Sequence, residues 1–169
     1  GSNMLTVTIK DDKGTPMKLE DVEKLTKKKA IAEAAPVAQS SVTAASTYSD
    51  ETATIYGTTG SYADIQELEI YEGRFLKMTD VENHTNVAVV NAGLAINVMG
   101  RMDVVGETIS LDGIDYQIIG VLAADANDTT TTENYEAYIP YTSLIRLTDD
   151  VSSDLSGFCV SAVSEKSLD

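Results

Sequence analysis

Residues 108–122 read Thr-Ile-Ser-Leu-Asp-Gly-Ile-Asp-Tyr-Gln-Ile-Ile-Gly-Val-Leu. Ile109 and Leu111 alternate with Thr108 and Ser110, and Ile114, Tyr116 and Ile118 alternate with Asp115 and Gln117. A period of two places the apolar set on one face of an extended chain. Between the runs stand Asp112 and Gly113, two residues that tolerate the positive φ of a type I′ turn. A tight antiparallel hairpin is therefore predicted. Its register is pinned, because a one-residue slip would expose every apolar side chain. The doubled Ile118-Ile119, followed by Gly120, interrupts the alternation and predicts a β-bulge in the second strand.

Other strands surround this hairpin. Leu5, Val7 and Ile9 alternate with polar residues, as a half-buried strand does. Thr15-Pro16 is a cap followed by proline at a first helical position, and Leu19, Val22 and Leu25 then share one helical face. Lys27–Lys29 would complement that helix's C-terminal dipole. Pro36 bars further helix, and Val37–Thr43 reads as a second strand. Strand, helix, strand suggests a right-handed βαβ unit.

Ala53–Tyr56 is strand-like, Gly57–Gly60 reads as a loop, and Ser61 is placed to cap a short helix to Leu68. Val87–Val90 is apolar throughout, so a strand covered on both faces. A helix over Ala92–Met99 should stop at Gly100. Residues 124–136 are polar and threonine-rich, an exposed loop. Tyr138–Tyr141 is a short strand whose Pro140 suits a strand end or a sheet edge, and Ser143 could cap one helical turn. Phe158–Val163 is the last strand. It should lie beside Leu5–Lys10, antiparallel to it, with both strands near the centre of their sheet and the Asp112-Gly113 hairpin far away.

Length and charge narrow the functional classes. The 169 residues, 43% of them hydrophobic, suffice for one core. No stretch approaches the roughly 20 apolar residues of a membrane span. Gly1-Ser2-Asn3-Met4 reads as a cloning remnant, so the natural chain is expected to extend upstream. A net charge of -15 repels phosphate backbones and argues against nucleic acid as a partner. That charge serves solubility, or it forms an acidic face for a cationic peptide or protein.

A search for catalytic chemistry finds little. The one histidine, His84, sits in a polar loop, and the one cysteine, Cys159, sits in an apolar run. No HExxH, GxSxG, CxxC or dinucleotide-binding pattern occurs, and Gly57-Thr58-Thr59-Gly60-Ser61 lacks the GK[ST] of a phosphate-binding loop. Asp125, Asn127, Asp128 and Glu133 fit no EF-hand spacing. No enzyme activity, cofactor, metal or catalytic residue is expected. The eight tyrosines, against two phenylalanines and no tryptophan, include Tyr48, Tyr56, Tyr62 and Tyr71 in the middle of the chain. They either pack with wet hydroxyls or form a partner-binding surface.

One succession of residues has identity as well as pattern. Gly73-Arg74-Phe75 is followed by Asp80, then by Val87–Val90 and Met99-Gly100. Asp103-Val104-Val105-Gly106-Glu107-Thr108-Ile109 and Tyr116–Leu122 come next, then Tyr138-Ile139-Pro140-Tyr141. This order resembles the periplasmic core domain of MacB/FtsX-type ABC transporter permeases, where a "GRFF…D" segment precedes "VAV", "LFG", "DPIGK.I", "F.VIGV" and a "YIPL" strand. Leu19–Val22 resembles that family's first helix. The chain departs from the pattern at Asn91-Ala92-Gly93, where a glycine usually follows "VAV" directly.

The resemblance implies a scaffold rather than a catalytic set. Its motif residues are Gly73, Arg74, Phe75, Asp80, Gly106, Gly120 and Pro140. Gly73 and Gly106 suit positive φ, and Arg74 is placed to tie a loop through carbonyls or a carboxylate. The implied fold is α+β: a small split βαβ (porter-like) subdomain over 5–44 plus 148–169, with an inserted mixed α/β, hairpin-containing subdomain over 45–147. The implied protein is an extracytoplasmic permease domain, anchored to the cell membrane and dimeric in the whole transporter. Its partners are the permease membrane helices and a separate ATPase subunit or domain, and its work is substrate or partner binding coupled to ATP-driven export or mechanotransmission. The competing reading is a free-standing extracellular ligand-binding or adhesion module.

Overall fold

Alternating apolar residues turn about half of the described residues into strands. The computed structural model describes residues 4–8, 31–124, 132–147 and 157–162. Its strands are β1 (Met4–Thr8), β2 (Ile31–Ala45), β3 (Asp50–Thr58), β4 (Ile70–Gly73) and β5 (Val87–Val90), then β6 (Thr108–Leu111), β7 (Ile114–Leu122), β8 (Glu136–Pro140) and β9 (Gly157–Ala162). The helices are short: α1 (Ser61–Ile65), α2 (Met78–Glu82), α3 (Ala92–Leu94) and α4 (Tyr141–Leu147). α3 widens into a π-helical turn over Ala95–Met99 and stops at Gly100, which takes φ 87°. The helix expected after Thr15, most of the threonine-rich loop and Val163 lie outside the described residues.

The strands form one mixed sheet in the order β1-β9-β2-β3-β8-β5-β7-β4, with β6 pairing both β2 and β7. β6 thereby closes a ring: β2, β3, β8, β5, β7 and β6 each pair with the next, and β6 returns to β2. The closing contact is only two residue pairs long, Ala44 with Leu111 and Ala45 with Ser110. The hairpin turn reinforces it. Asp112 N–H donates to the Thr43 carbonyl at 2.9 Å, and Asp112 Oδ1 accepts from Thr43 N–H at 2.8 Å. Asp112 and Gly113 have φ of 51° and 83°, the type I′ pattern.

The main core lies inside this ring. Ala44, Ile55, Val90, Leu111, Ile118 and Ile139, one from each strand, belong to a single buried cluster with Leu94 and Val98 of the helical turn. A second cluster, built on Leu76, Val89, Leu122 and Tyr138, covers the outer face. Neighbouring residues of β5 thus point to opposite cores, and full burial of Val89 and Val90 contributes about 2 kcal/mol each. The predicted bulge is at Ile119: Ala88 pairs with Ile118, but Val89 pairs with Gly120. The extra residue shifts the phase of β7, so that Tyr116, Ile118 and Val121 face inward while Ile119 and Leu122 face the outer cluster.

β9 runs antiparallel between β1 and β2, with Leu5 opposite Val160 and Met4 opposite Ser161. The first and last described strands are neighbours, as expected, but β1 ends the strand order instead of lying near its centre. Other expectations shift too. β2 begins at Ile31, not Val37, and contains Pro36. Proline is tolerated there because β2 changes partner at that point, from β9 through Val37 to β3 from Ala38. Gly57 and Thr58 belong to β3 rather than a loop, and the buried Thr58 hydroxyl donates to the Pro36 carbonyl at 2.6 Å.

Ser61 is the first residue of α1, after an N-cap at Gly60. Ser143 lies within α4 and donates to the Thr85 carbonyl at 2.9 Å instead of capping. Pro140 ends β8, yet β8 is flanked by β3 and β5 and is no edge. β5 pairs only with Ala137 and Tyr138, so Pro140 lies past that ladder.

A Cβ added at Gly113 would meet nothing within 4 Å, so Gly113→Val tests backbone strain alone. The variant should lose about 1 kcal/mol or more in denaturant unfolding, because a β-branched residue resists positive φ. An unchanged unfolding midpoint would refute the turn assignment.

Candidate functional site

β4 reaches β7 at the end of its short ladder, where Gly73 pairs with Gly120. Two glycines face each other because the backbones touch. A Cβ on Gly120 would lie 2.1 Å from the Arg74 carbonyl oxygen, and one on Gly73 would lie 2.2 Å from that of Ile119. Gly73 also takes φ 81°, and Arg74 N–H donates to the Ile119 carbonyl at 3.0 Å. The approach sends the chain off the sheet edge directly into the segment that carries Arg74, Phe75 and Asp80.

The structure brings Arg74 and Asp80 together. Arg74 Nη1 donates to Asp80 Oδ2 at 2.8 Å and to the Phe75 carbonyl at 3.0 Å. The Asp80 carboxylate also accepts from Lys77 N–H at 2.8 Å and from the Thr85 hydroxyl at 3.3 Å. Asp80 is 6% exposed. Burial alone would raise its pKa, but the donors from Arg74, Lys77 and Thr85 outweigh it and hold the carboxyl below the ordinary aspartate value. The carboxylate therefore closes the 74–85 loop around α2. A depressed, saturated carboxylate is a structural anchor and a poor proton acceptor at neutral pH.

Phe75 is half-buried and tilts against Tyr138 at 5.7 Å between ring centroids. Tyr56 stacks on the same ring at 5.3 Å, and Tyr62 tilts against it at 5.6 Å. Burial, then the nearby Glu136, pushes the Tyr138 hydroxyl far above the usual phenol range. The four middle tyrosines thus divide: Tyr56 and Tyr62 pack, whereas Tyr48 and Tyr71 are 67% and 51% exposed. Gly106, φ 93°, lies apart from the Arg74 junction in the turn before β6, its N–H donating to the Ile118 carbonyl at 2.8 Å. Pro140 is at the far end of β8.

Asn91 was not among the expected site residues. Its Oδ1 accepts from Leu94 N–H at 2.9 Å, capping α3, and from Glu136 N–H at 3.0 Å. Its Nδ2 donates to the Asn134 carbonyl at 2.8 Å. Asparagine immediately before a predicted helix was the available signal. His84 is exposed in a turn with φ 42°. Among the described residues no group of three His, Cys, Asp or Glu side chains is placed to hold a metal ion. No described helix is long and apolar enough to cross a membrane.

The whole chain, residues 1–169, matches the family described as the MacB-like periplasmic core domain. It is 26% identical over 127 residues to a macrolide export ATP-binding/permease protein MacB of Neisseria gonorrhoeae, covering 75% of this chain and 20% of that protein. It is 31% identical over 109 residues to a MacB of Campylobacter jejuni, covering 54% of this chain and 17% of that one. The chain thus spans about a fifth of the curated relatives' length.

Among solved structures, the periplasmic region of MacB from Actinobacillus actinomycetemcomitans superposes with a TM-score of 0.81 at 20% identity, covering 98% of this chain and 77% of that one. The extracellular domain of the ABC-type transporter YknZ from Gram-positive bacteria gives 0.79 at 19% identity, covering 98% and 87%. These two likenesses establish the mixed α/β fold.

Two outcomes follow from the Arg74–Asp80 junction. Gly120→Ala should lose about 2 kcal/mol in denaturant unfolding, since the Arg74 backbone must move aside; a loss within experimental error would contradict the close approach. The second outcome concerns pH. A depressed native pKa means stability that is present above the unfolded value, near pH 4, and lost as pH falls on through the lower folded value. The melting temperature should therefore fall more steeply from pH 5 to acid in the native protein than in Asp80→Asn. Parallel pH profiles would show that Asp80 carries no such linkage.

Proposed function

The chain belongs to the MacB-like periplasmic core domain family, and on that premise we propose that it captures a substrate or docks a partner outside the membrane for an ABC transporter permease. The family is one of transporter permease domains and not of enzymes, and its place is extracytoplasmic. In the whole protein the domain is anchored by membrane helices, works as a homodimer, and responds to an ATPase subunit or domain that drives export or mechanotransmission.

The observation that carries this reading is the pairing of Met4 with Ser161. A domain looped out of a membrane must leave and return on one side, and here the first and last described strands are adjacent. β2 then extends away for fifteen residues. The hairpin turn meets β2 at Thr43, past Val37, the last residue paired with β9, so at about 3.3 Å per residue the β1–β9 pair stops about 20 Å short of the turn. We read residues 5–44 with 148–169 as the membrane-proximal, split βαβ part, and 45–147 as the inserted part that meets ligand. The pairing of β1 and β2 on either side of β9 supports that division.

The test replaces residues 5–163 of the membrane-embedded transporter by a short Gly-Ser linker. Reconstituted transporter should keep its basal ATPase activity while cells lose efflux of every compound the native transporter exports. Undiminished efflux would refute the proposed role.

A further inference from the structure

The seam that closes the strand ring leaves a groove. β2 and β6 pair only at Ala44–Leu111 and Ala45–Ser110, so Thr108 lies beyond the contact while the β2–β3 loop turns away from it. The space between them, about 620 Å³, is bordered by Ser46, Tyr48, Met99, Arg101, Glu107 and Thr108. A second hollow of about 340 Å³ shares Ser46 and Thr108 with it and extends to Asp115.

The groove's outer wall is held in place although it is exposed. Ser46 N–H donates to the Ser49 carbonyl at 2.9 Å. The Ser46 hydroxyl donates to the Val98 carbonyl at 2.5 Å and accepts from Tyr48 N–H at 2.9 Å. The Tyr48 ring lies against Gly100, where a Cβ would be 3.0 Å from two ring carbons. One ring edge is thus fastened to the end of the helical turn, and 67% of the residue faces solvent. The exposed ring leaves an open π surface at the mouth of the groove.

We propose that this groove binds a basic side chain presented by an extended segment of a partner protein. Arg101 pairs with Glu107, which leaves the Asp115 carboxylate as the uncompensated charge of the two hollows. The whole chain, at net -15, draws cations toward it. A lysine or arginine would stack on the open Tyr48 ring with the Asp115 carboxylate in the adjoining hollow, and the Thr108 side chain offers a hydrogen bond to the segment's backbone. An anionic ligand would meet Asp115 and the field of the domain, and the local cation, Arg101, is already paired with Glu107. An apolar one would strip water from the Asp115 carboxylate without replacing it. The inference goes beyond the transport reading and does not rest on it, because binding here is a property of the domain alone.

The experiment titrates the purified domain with acetyl-Gly-Arg-Gly-Arg-Gly-amide and follows backbone amides by NMR, with the Glu-for-Arg peptide as the control. The arginine peptide should shift amides at residues 46–48, 99–101, 107–110 and 115. Tyr48→Ala should weaken it by about threefold to fivefold while the other amides stay in place. Raising salt from about 50 mM to about 500 mM should weaken it further. Three results would each overturn the proposal: no saturable shift, shifts scattered over the acidic surface, or equal binding by the glutamate peptide or by the Tyr48→Ala variant. Efflux by the intact transporter is read separately, so the two readings fail independently.

Discussion

Ring closure between β2 and β6 is the contact on which the inner core depends. Six strands enclose that core; four of their six junctions are longer ladders, and a fifth joins β5 to β8 through Val89–Tyr138 and Val90–Ala137. The sixth is two residue pairs, Ala44–Leu111 and Ala45–Ser110, supplemented by the reciprocal hydrogen bonds of Asp112 with Thr43. Without it β6 would present an unpaired edge, and Leu111 would lose its place against Ala44 and Ile55. The Asp-Gly turn therefore does two jobs. Its positive φ values reverse the chain, and its side chain and amide fasten the hairpin to β2.

β2 makes that closure reachable. Fifteen residues long, it offers its first half to β9 and its second to β3 and β6. Changing partner in mid-strand risks an unsatisfied backbone group. The chain manages this with Pro36, which has no N–H, and with the buried Thr58 hydroxyl donated to the Pro36 carbonyl. The same strand keeps the adjacent first and last strands at one end and the closed ring toward the other. On the proposed reading, this is the separation between a membrane attachment and a ligand-facing part.

The outer face is organised by close backbone approach rather than by chemistry. Gly73 opposite Gly120 lets β4 and its continuation lie against the bulged part of β7. Arg74 then anchors Asp80, and the 74–85 loop is drawn over the aromatic cluster around Tyr138. Every polar partner of Asp80 stabilises the ionised carboxylate, as suits a fixed scaffold. The identity of the Gly-Arg-Phe segment and its acidic follower is thus explained by packing.

Local order was the part legible in one dimension. The hairpin, its turn, the Ile119 bulge, the doubly covered β5 and the stop at Gly100 follow from side-chain period and from residues that accept positive φ, both properties of neighbours in sequence. The resemblance around Gly73–Asp80 was legible as well, and with it the family. Other features were settled by residues distant in sequence. Pro36 sits inside a strand because β9 and β3 meet there. Thr58 is a strand residue because β2 and β8 hold it. Ser143 serves the Thr85 carbonyl because α4 packs against the loop after α2. Ring closure and the groove beside it depend on Thr43 meeting Asp112, 69 residues later, and no periodicity encodes that meeting. The sequence by itself determined which segments extend, where they turn and which family they belong to. The tertiary structure alone decided which edges meet, because backbone hydrogen bonds are satisfied by whatever strand arrives, and arrival is decided by packing of the whole core.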